Sequence, residues 1–285
     1  MRVCRFTHGA GPVRIGLVTD DEVVVDLTSA GIETLFPVLE GEDPAGTLRV
    51  AAHDATSRLP LTEVTLLAPV ERQEVWAAGV TYLRSKAARM EESDFSATAY
   101  DRVYEAERPE IFFKSLAEKV VGPGGAVGIR RDSSWNVPEP ELALVLTSKG
   151  AVVGHTIGND MSSRDIEGQN LLYLPQAKTY HRSCAIGPWI TLGAPESAAR
   201  TWAITLEIVR GGRSVFSGRA SVGQLKRGFA ELAGFLFRSQ TFPDGAVLLT
   251  GTGVVPDESF TLVEADEVNI DITGIGRLMN TVMVV

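Results

Sequence analysis

The stretch Pro138-Glu139-Pro140-Glu141-Leu142-Ala143-Leu144-Val145-Leu146 constrains this chain more than any other. Its apolar half has the run length and the branched residues of a strand. Two glutamates spaced i, i+2 at the head of an extended run point to the same side of it. Adjacent carboxylates repel one another unless they share a proton or a cation. Spacing alone leaves two readings open, a solvated strand start or part of a metal site.

The next segment, Gly154-His155-Thr156-Ile157-Gly158-Asn159-Asp160-Met161-Ser162-Ser163-Arg164-Asp165, carries further carboxylates after a short strand and a turn. A returning chain can set one of them beside the glutamate pair. Three hard oxygen ligands, with water and substrate completing an octahedron, is how proteins usually hold Mg²⁺. Spacing does not separate Asp160 from Asp165. Lys178 follows in an apolar segment bounded by Pro175 and by Gly187-Pro188.

Around this block the chain reads as mostly strand. Residues 13–18 and 23–27 are short apolar stretches about a Thr19-Asp20-Asp21-Glu22 turn, and 28–39 and 46–58 are each expected to hold a short helix. Pro60 and Pro69 punctuate the chain there, so a boundary is placed between a small β-rich N-terminal domain, 1–68, and a larger domain, 69–285. A helix is expected over 82–92, and the main β region is expected to begin at Ile111. Strands are expected at 142–146, 186–192, 203–209, 247–250 and 268–272, with a helix over 229–237. Strands outnumber helices without βαβ alternation, which points to a mixed, β-rich α+β fold.

Composition excludes several function classes. No apolar run approaches the roughly 18 residues that span a bilayer, and the opening MRVCRFTHGA lacks the apolar core of a signal peptide. The two cysteines, Cys4 and Cys184, form no C-x-x-C pair, so a reducing, cytoplasmic setting is expected. A formal charge of −9 argues against nucleic-acid binding. The histidines at 8, 53, 155 and 181 show none of the pairings of a zinc site.

Residues 139–188 resemble the fumarylacetoacetate hydrolase family. In that family an E-x-E pair, an aspartate in a G-x-x-x-x-N-D-x-S-x-R-D segment and a lysine ahead of a G-P build the site. Glu139, Glu141, Asp160 and Lys178 fall on those positions. The resemblance, which covers the chain after Pro69, thus makes Asp160 the ligand and leaves Asp165 to hold the loop. Thr250-Gly251-Thr252-Gly253 matches the family's late T-G-T, which implies a contact to the substrate carboxylate. The implied fold is a fumarylacetoacetate hydrolase-like β-roll or sandwich catalytic domain behind a small N-terminal domain.

The family's hydrolases carry N-Y-x-x-H after the first core strand. Here the segment reads Gly79-Val80-Thr81-Tyr82-Leu83-Arg84-Ser85, with Ser85 in the histidine's place. Serine without a neighbouring base is a poor proton acceptor, which argues against C–C hydrolysis. The segments 108–114, 133–141 and 173–178 instead look like the family's 2-keto-3-deoxy-sugar-acid dehydratases. That branch acts on 2-dehydro-3-deoxy-D-arabinonate and gives 2,5-dioxopentanoate. The resemblance implies Mg²⁺ on Glu139, Glu141 and Asp160, with Mn²⁺ or Ca²⁺ as alternatives. It implies Lys178 and Glu110 as the acid–base pair, with the two roles left unassigned, and Arg84, Ser85, Lys114 and Thr252 as substrate contacts. A homodimer or higher homo-oligomer binding a small 2-oxo acid is expected. The rival readings are an acylpyruvate-type C–C hydrolase, an oxo-acid decarboxylase or tautomerase, and a non-catalytic 2-oxo-acid-binding protein.

Overall fold

The computed structural model of the chain describes residues 1–82 and 102–285. In chain order its first strands are β1 (Arg2–Thr7), β2 (Arg14–Val18), β3 (Val23–Asp26), β4 (Arg58–Pro60), β5 (Thr65–Leu67), β6 (Glu74–Gly79) and β7 (Glu110–Ser115). There follow β8 (Ala126–Ile129), β9 (Asn136–Val137), β10 (Pro140–Leu146), β11 (Val152–Asp160), β12 (Ser162–Ser163) and β13 (Cys184–Leu192). The last are β14 (Ala203–Arg210), β15 (Arg213–Ser221), β16 (Ala246–Leu249), β17 (Glu267–Ile272) and β18 (Gly276–Val284).

Among the described residues, an 11-stranded sheet runs β4-β3-β2-β1-β13-β11-β10-β16-β6-β7, with β5 also pairing β1. A 5-stranded sheet, β15-β14-β17-β18-β8, packs against its middle, and β12 pairs β9 in a small ribbon. Every residue of β10 is buried, which accounts for its unbroken apolar run: both faces of the strand are covered. Leu142, Leu144 and Leu146 point into the core shared with Ile204, Leu206, Val268 and Ile270 of the smaller sheet. Ala143 faces the other way, against Ile186 and Leu249. Glu139 and Glu141 share its side by the two-residue period of the strand.

The sheet is continuous across the boundary expected near residue 68. Strand β1 lies antiparallel to β13, with Val3 opposite Ile190, and β5 pairs β1 in turn. The N-terminal residues add a cluster of Val25, Leu27, Leu35 and Leu48 that closes on Ile190 and Leu192.

The helix expected over 28–39 is two short pieces, a 3₁₀ turn at Leu27–Ala30 and one turn at Phe36–Leu39. That expected over 46–58 runs Pro44–Asp54, its start fixed by Asp43, whose carboxylate accepts from the Gly46 N–H at 2.8 Å. The helix Phe229–Leu236 lies where the periodicity placed it. The one expected over 82–92 falls outside the described residues from position 83 onward. No described helix is long and apolar enough to cross a membrane.

Candidate active site

The antiparallel hairpin of β10 and β11 builds the acidic centre. Its register sets Pro140 opposite Asn159 and Glu141 opposite Gly158, and the Asp160 N–H donates to the Glu139 carbonyl at 3.0 Å. Glu139, Glu141 and Asp160 therefore converge, with one carboxylate oxygen from each within 4.8 Å of the others. All three are buried, at 3%, 1% and 1% exposure, so this is no solvated strand start. Asp165 goes elsewhere. Its carboxylate accepts from the Ser133 hydroxyl at 2.6 Å and from the Ser134 N–H at 2.8 Å. Burial works to raise its pKa, yet these bonds hold it below the ordinary value.

Three buried cations surround the carboxylates. Lys178, at the end of the helix Leu174–Lys178, donates from Nζ to Glu139 Oε2 at 2.7 Å, Asp160 Oδ2 at 3.0 Å and Ser162 Oγ at 2.5 Å. Three donated bonds match the three protons of an ammonium. Arg164 Nη1 donates to Glu139 Oε1 at 2.9 Å, and its guanidinium lies 5.7 Å from the Trp135 ring. Lys114 Nζ stands 2.5 Å from Asp160 Oδ1.

Glu141 is held from a different direction. Its Oε2 accepts from the Gly251 N–H at 2.5 Å, in the turn that follows β16. Gly251 has φ +92, and a Cβ there would lie 2.0 Å from Thr81 Oγ1, which itself donates to the Thr250 carbonyl. Only glycine meets both demands. Burial pushes the Glu141 carboxyl well above its ordinary pKa, and the charges of Asp160 and Glu139 add to the effect. Lys178 and the Gly251 N–H work against it.

A cavity opens on the carboxylates, lined by Ala78, Gly79, Val80, Phe112, Glu139, Glu141, Asp160, Gly251 and Thr252. Thr252 reaches this wall, and its hydroxyl is engaged with the backbone of Val254. Glu110 opens β7 opposite Gly79, and a Cβ at Gly79 would sit 1.9 Å from Glu110 Oε2. The bare backbone of Gly79, a residue of the cavity wall, thus leaves room for that carboxylate beside it. Lys114 and Lys178 stand behind the carboxylates and are not part of the lining. Arg84 and Ser85 fall outside the described residues. Arg164 and Ser162 received no role from sequence reasoning, although both lie in the quoted motif. No local pattern marks an arginine as fully buried; the signal available was its place four residues after Asp160.

The donor set suits a hard divalent cation. Three buried carboxylates supply oxygen ligands, and the unfavourable charging of Glu141 is the kind of strain that a cation relieves. Residues 74–283 match the family described as fumarylacetoacetate (FAA) hydrolase C-terminal. The chain belongs to the fumarylacetoacetate hydrolase family. Within that family it is 46% identical over 217 residues to a probable 2-keto-3-deoxyxylonate dehydratase of Haloferax volcanii, covering 76% of this chain and 74% of the relative. It is 38% identical over 271 residues to the 2-dehydro-3-deoxy-D-arabinonate dehydratase of Saccharolobus solfataricus, covering 93% and 91%. It also superposes on a 2-keto-3-deoxy-D-arabinonate dehydratase complexed with magnesium and 2,5-dioxopentanoate. That match has a TM-score of 0.83 and 32% identity, covering 100% of this chain and 99% of the other.

Proposed function

We propose that this chain is a Mg²⁺-dependent hydro-lyase that dehydrates a 2-keto-3-deoxy-pentonate of the 2-dehydro-3-deoxy-D-arabinonate type to 2,5-dioxopentanoate. The observation that carries this reading is the full-length likeness to the dehydratase complexed with magnesium and that product, in a chain with a buried acidic triad. Glu139, Glu141 and Asp160 would hold the ion. When bound, Mg²⁺ supplies a Lewis acid that stabilises charge on an oxo-acid carbonyl oxygen, a contribution of several kcal/mol.

The other groups divide the proton work. Loss of water takes a proton from C3 and the hydroxyl from C4, and the unsaturated product tautomerises to the C5 aldehyde. Glu110, which lies beside Gly79 of the cavity wall, is assigned the exchange of protons with the substrate. Lys178 serves as a fixed positive charge toward the developing enolate, because its ammonium is committed to Glu139, Asp160 and Ser162. Thr252 on the cavity wall, together with Arg84 and Ser85, completes the proposed substrate contacts. The reading includes a cytoplasmic homodimer. Two buried, unpaired cysteines suit a reducing compartment, and two-fold dimers are the commonest closed assembly.

The test is to strip the protein with chelator, restore Mg²⁺ and offer it a 2-dehydro-3-deoxy-pentonate beside an acylpyruvate. A semialdehyde dehydrogenase reports any 2,5-dioxopentanoate. Magnesium-dependent semialdehyde without acylpyruvate cleavage is the expected result; acylpyruvate cleavage alone would overturn the dehydratase assignment in favour of C–C hydrolysis.

A further inference from the structure

Lys114 is a lysine with 0% exposure on β7, two residues beyond Phe112 of the cavity wall. Burying an ammonium is costly unless it is paired and its protons are satisfied. Here the partners come from two separate elements. Beside the ion pair with Asp160 Oδ1 at 2.5 Å, Nζ donates to the Met161 carbonyl at 3.0 Å and to the Lys178 carbonyl at 2.5 Å. Met161 directly follows β11, and Lys178 ends the short helix that carries its own side chain to Glu139 and Asp160. One ammonium on β7 therefore ties the end of the strand bearing Asp160 to the end of the helix bearing Lys178.

Asp160 is gripped on both oxygens, Oδ1 by Lys114 and Oδ2 by Lys178. Lys178 reaches Asp160 with its side chain while its own carbonyl is held by Lys114, so the three residues form a closed loop of contacts. The cavity wall includes Asp160 but not Lys114. We infer that Lys114 is a positioning residue that sets the aim of Asp160 and Lys178 together, rather than a substrate contact; this rests on the metal-dependent reading above.

A positioning role and a purely electrostatic one differ in the sign of one effect. A counter-charge 2.5 Å from a ligand oxygen repels a divalent cation, so removing it would tighten metal binding. Loss of position weakens it. Mn²⁺ titration followed by electron paramagnetic resonance reads this without turnover, with Glu141→Gln as the control that loses the site. For Lys114→Met the expected results are at least fivefold weaker Mn²⁺ binding and at least tenfold lower kcat. At saturating metal, KM for the oxo acid should stay within about threefold of wild type, in line with a loss of transition-state rather than ground-state interaction. Lys114→Gln keeps two N–H donors without the charge and should fall between wild type and Lys114→Met in both Mn²⁺ affinity and kcat. If the methionine variant fails to fold, a glutamine variant that binds Mn²⁺ as tightly as wild type or more tightly would overturn the inference. Tighter Mn²⁺ binding, or a KM rise with kcat intact, would overturn the inference. Wild-type protein that binds no Mn²⁺ would sink the metal reading and this assignment together. Unchanged binding and kcat in the variants of a metal-binding wild type would sink this assignment alone.

Discussion

At the scale of single residues, the buried polar groups include a matched cluster in the site and an unmatched histidine outside it. Glu139 and Asp160 pair with Lys114, Lys178 and Arg164 inside the site. His155 lies on the same strand as Asp160, at 1% exposure, and neither ring nitrogen has a hydrogen-bond partner among the described residues. Its ring meets the edge of Trp202 at 5.5 Å and packs at a tilt against Phe229 at 5.7 Å. Burial lowers its pKa from 6.5 to about 4, against a weaker upward pull from Glu196. The folded state therefore binds the proton less readily than the unfolded one, and stability from this group is full above pH 6.5 and lost as pH falls toward 4. Between pH 7.5 and pH 5 the loss is about 2 kcal/mol. Replacing His155 by Phe should flatten the pH dependence of urea unfolding over that interval by about this amount; an unchanged slope would show that the imidazole is not titrating there.

At the scale of elements, strand pairing places the chemistry. The β6–β7 pair sets Glu110 opposite Gly79, and the β10–β11 hairpin brings Asp160 back to Glu139. Gly79→Ala tests the first pairing, since its Cβ would fall 1.9 Å from Glu110 Oε2, the far end of a flexible side chain. That carboxylate should move while the strands stay paired. The expected outcome is a fall in kcat of at least tenfold, within the range that one general acid or base contributes, with the melting temperature shifted by no more than about 2 °C. Sequence reasoning found β10, β13, β14, β16 and β17, and it read the two-residue period that aligns Glu139 with Glu141. It passed over β15, whose residues are mostly exposed or half-buried at the edge of the smaller sheet, so no apolar run marks it. The short helix expected within 28–39 is Phe36–Leu39, preceded by a separate 3₁₀ turn that composition did not mark.

For the whole molecule, two sheets enclose one main core, and the acidic centre sits on the face of the larger sheet away from that core. Closing this site on three carboxylates leaves the metal-free protein with Glu141 hard to charge, so a bound divalent cation should favour the folded state. At Mg²⁺ one hundredfold above its dissociation constant the gain is about 2.7 kcal/mol, or roughly 4 to 5 °C in melting temperature. Thermal unfolding in chelator and in Mg²⁺ measures this directly. A Glu141→Gln variant should melt at one temperature in both; a wild type indifferent to Mg²⁺ would show that the triad holds no ion in solution.

What the sequence determined by itself was local: a two-residue period carrying two carboxylates to one side, an apolar run that had to be a strand, and motif spacings specific enough to name a family. The tertiary structure alone decided which residues meet. Asp160 and Asp165 are five positions apart and equivalent by spacing, yet strand register turns one into the site and lets two serines claim the other. Lys114 is buried against Asp160, and Arg164 proved to be a buried partner of Glu139. Likewise the punctuation by Pro60 and Pro69 hides the pairing of β1 with β13, which carries the sheet across that point. The physical reason is common to all of these. Side-chain direction along a strand follows from covalent geometry and is readable from spacing, whereas burial and ion pairing depend on contacts between segments far apart in the chain.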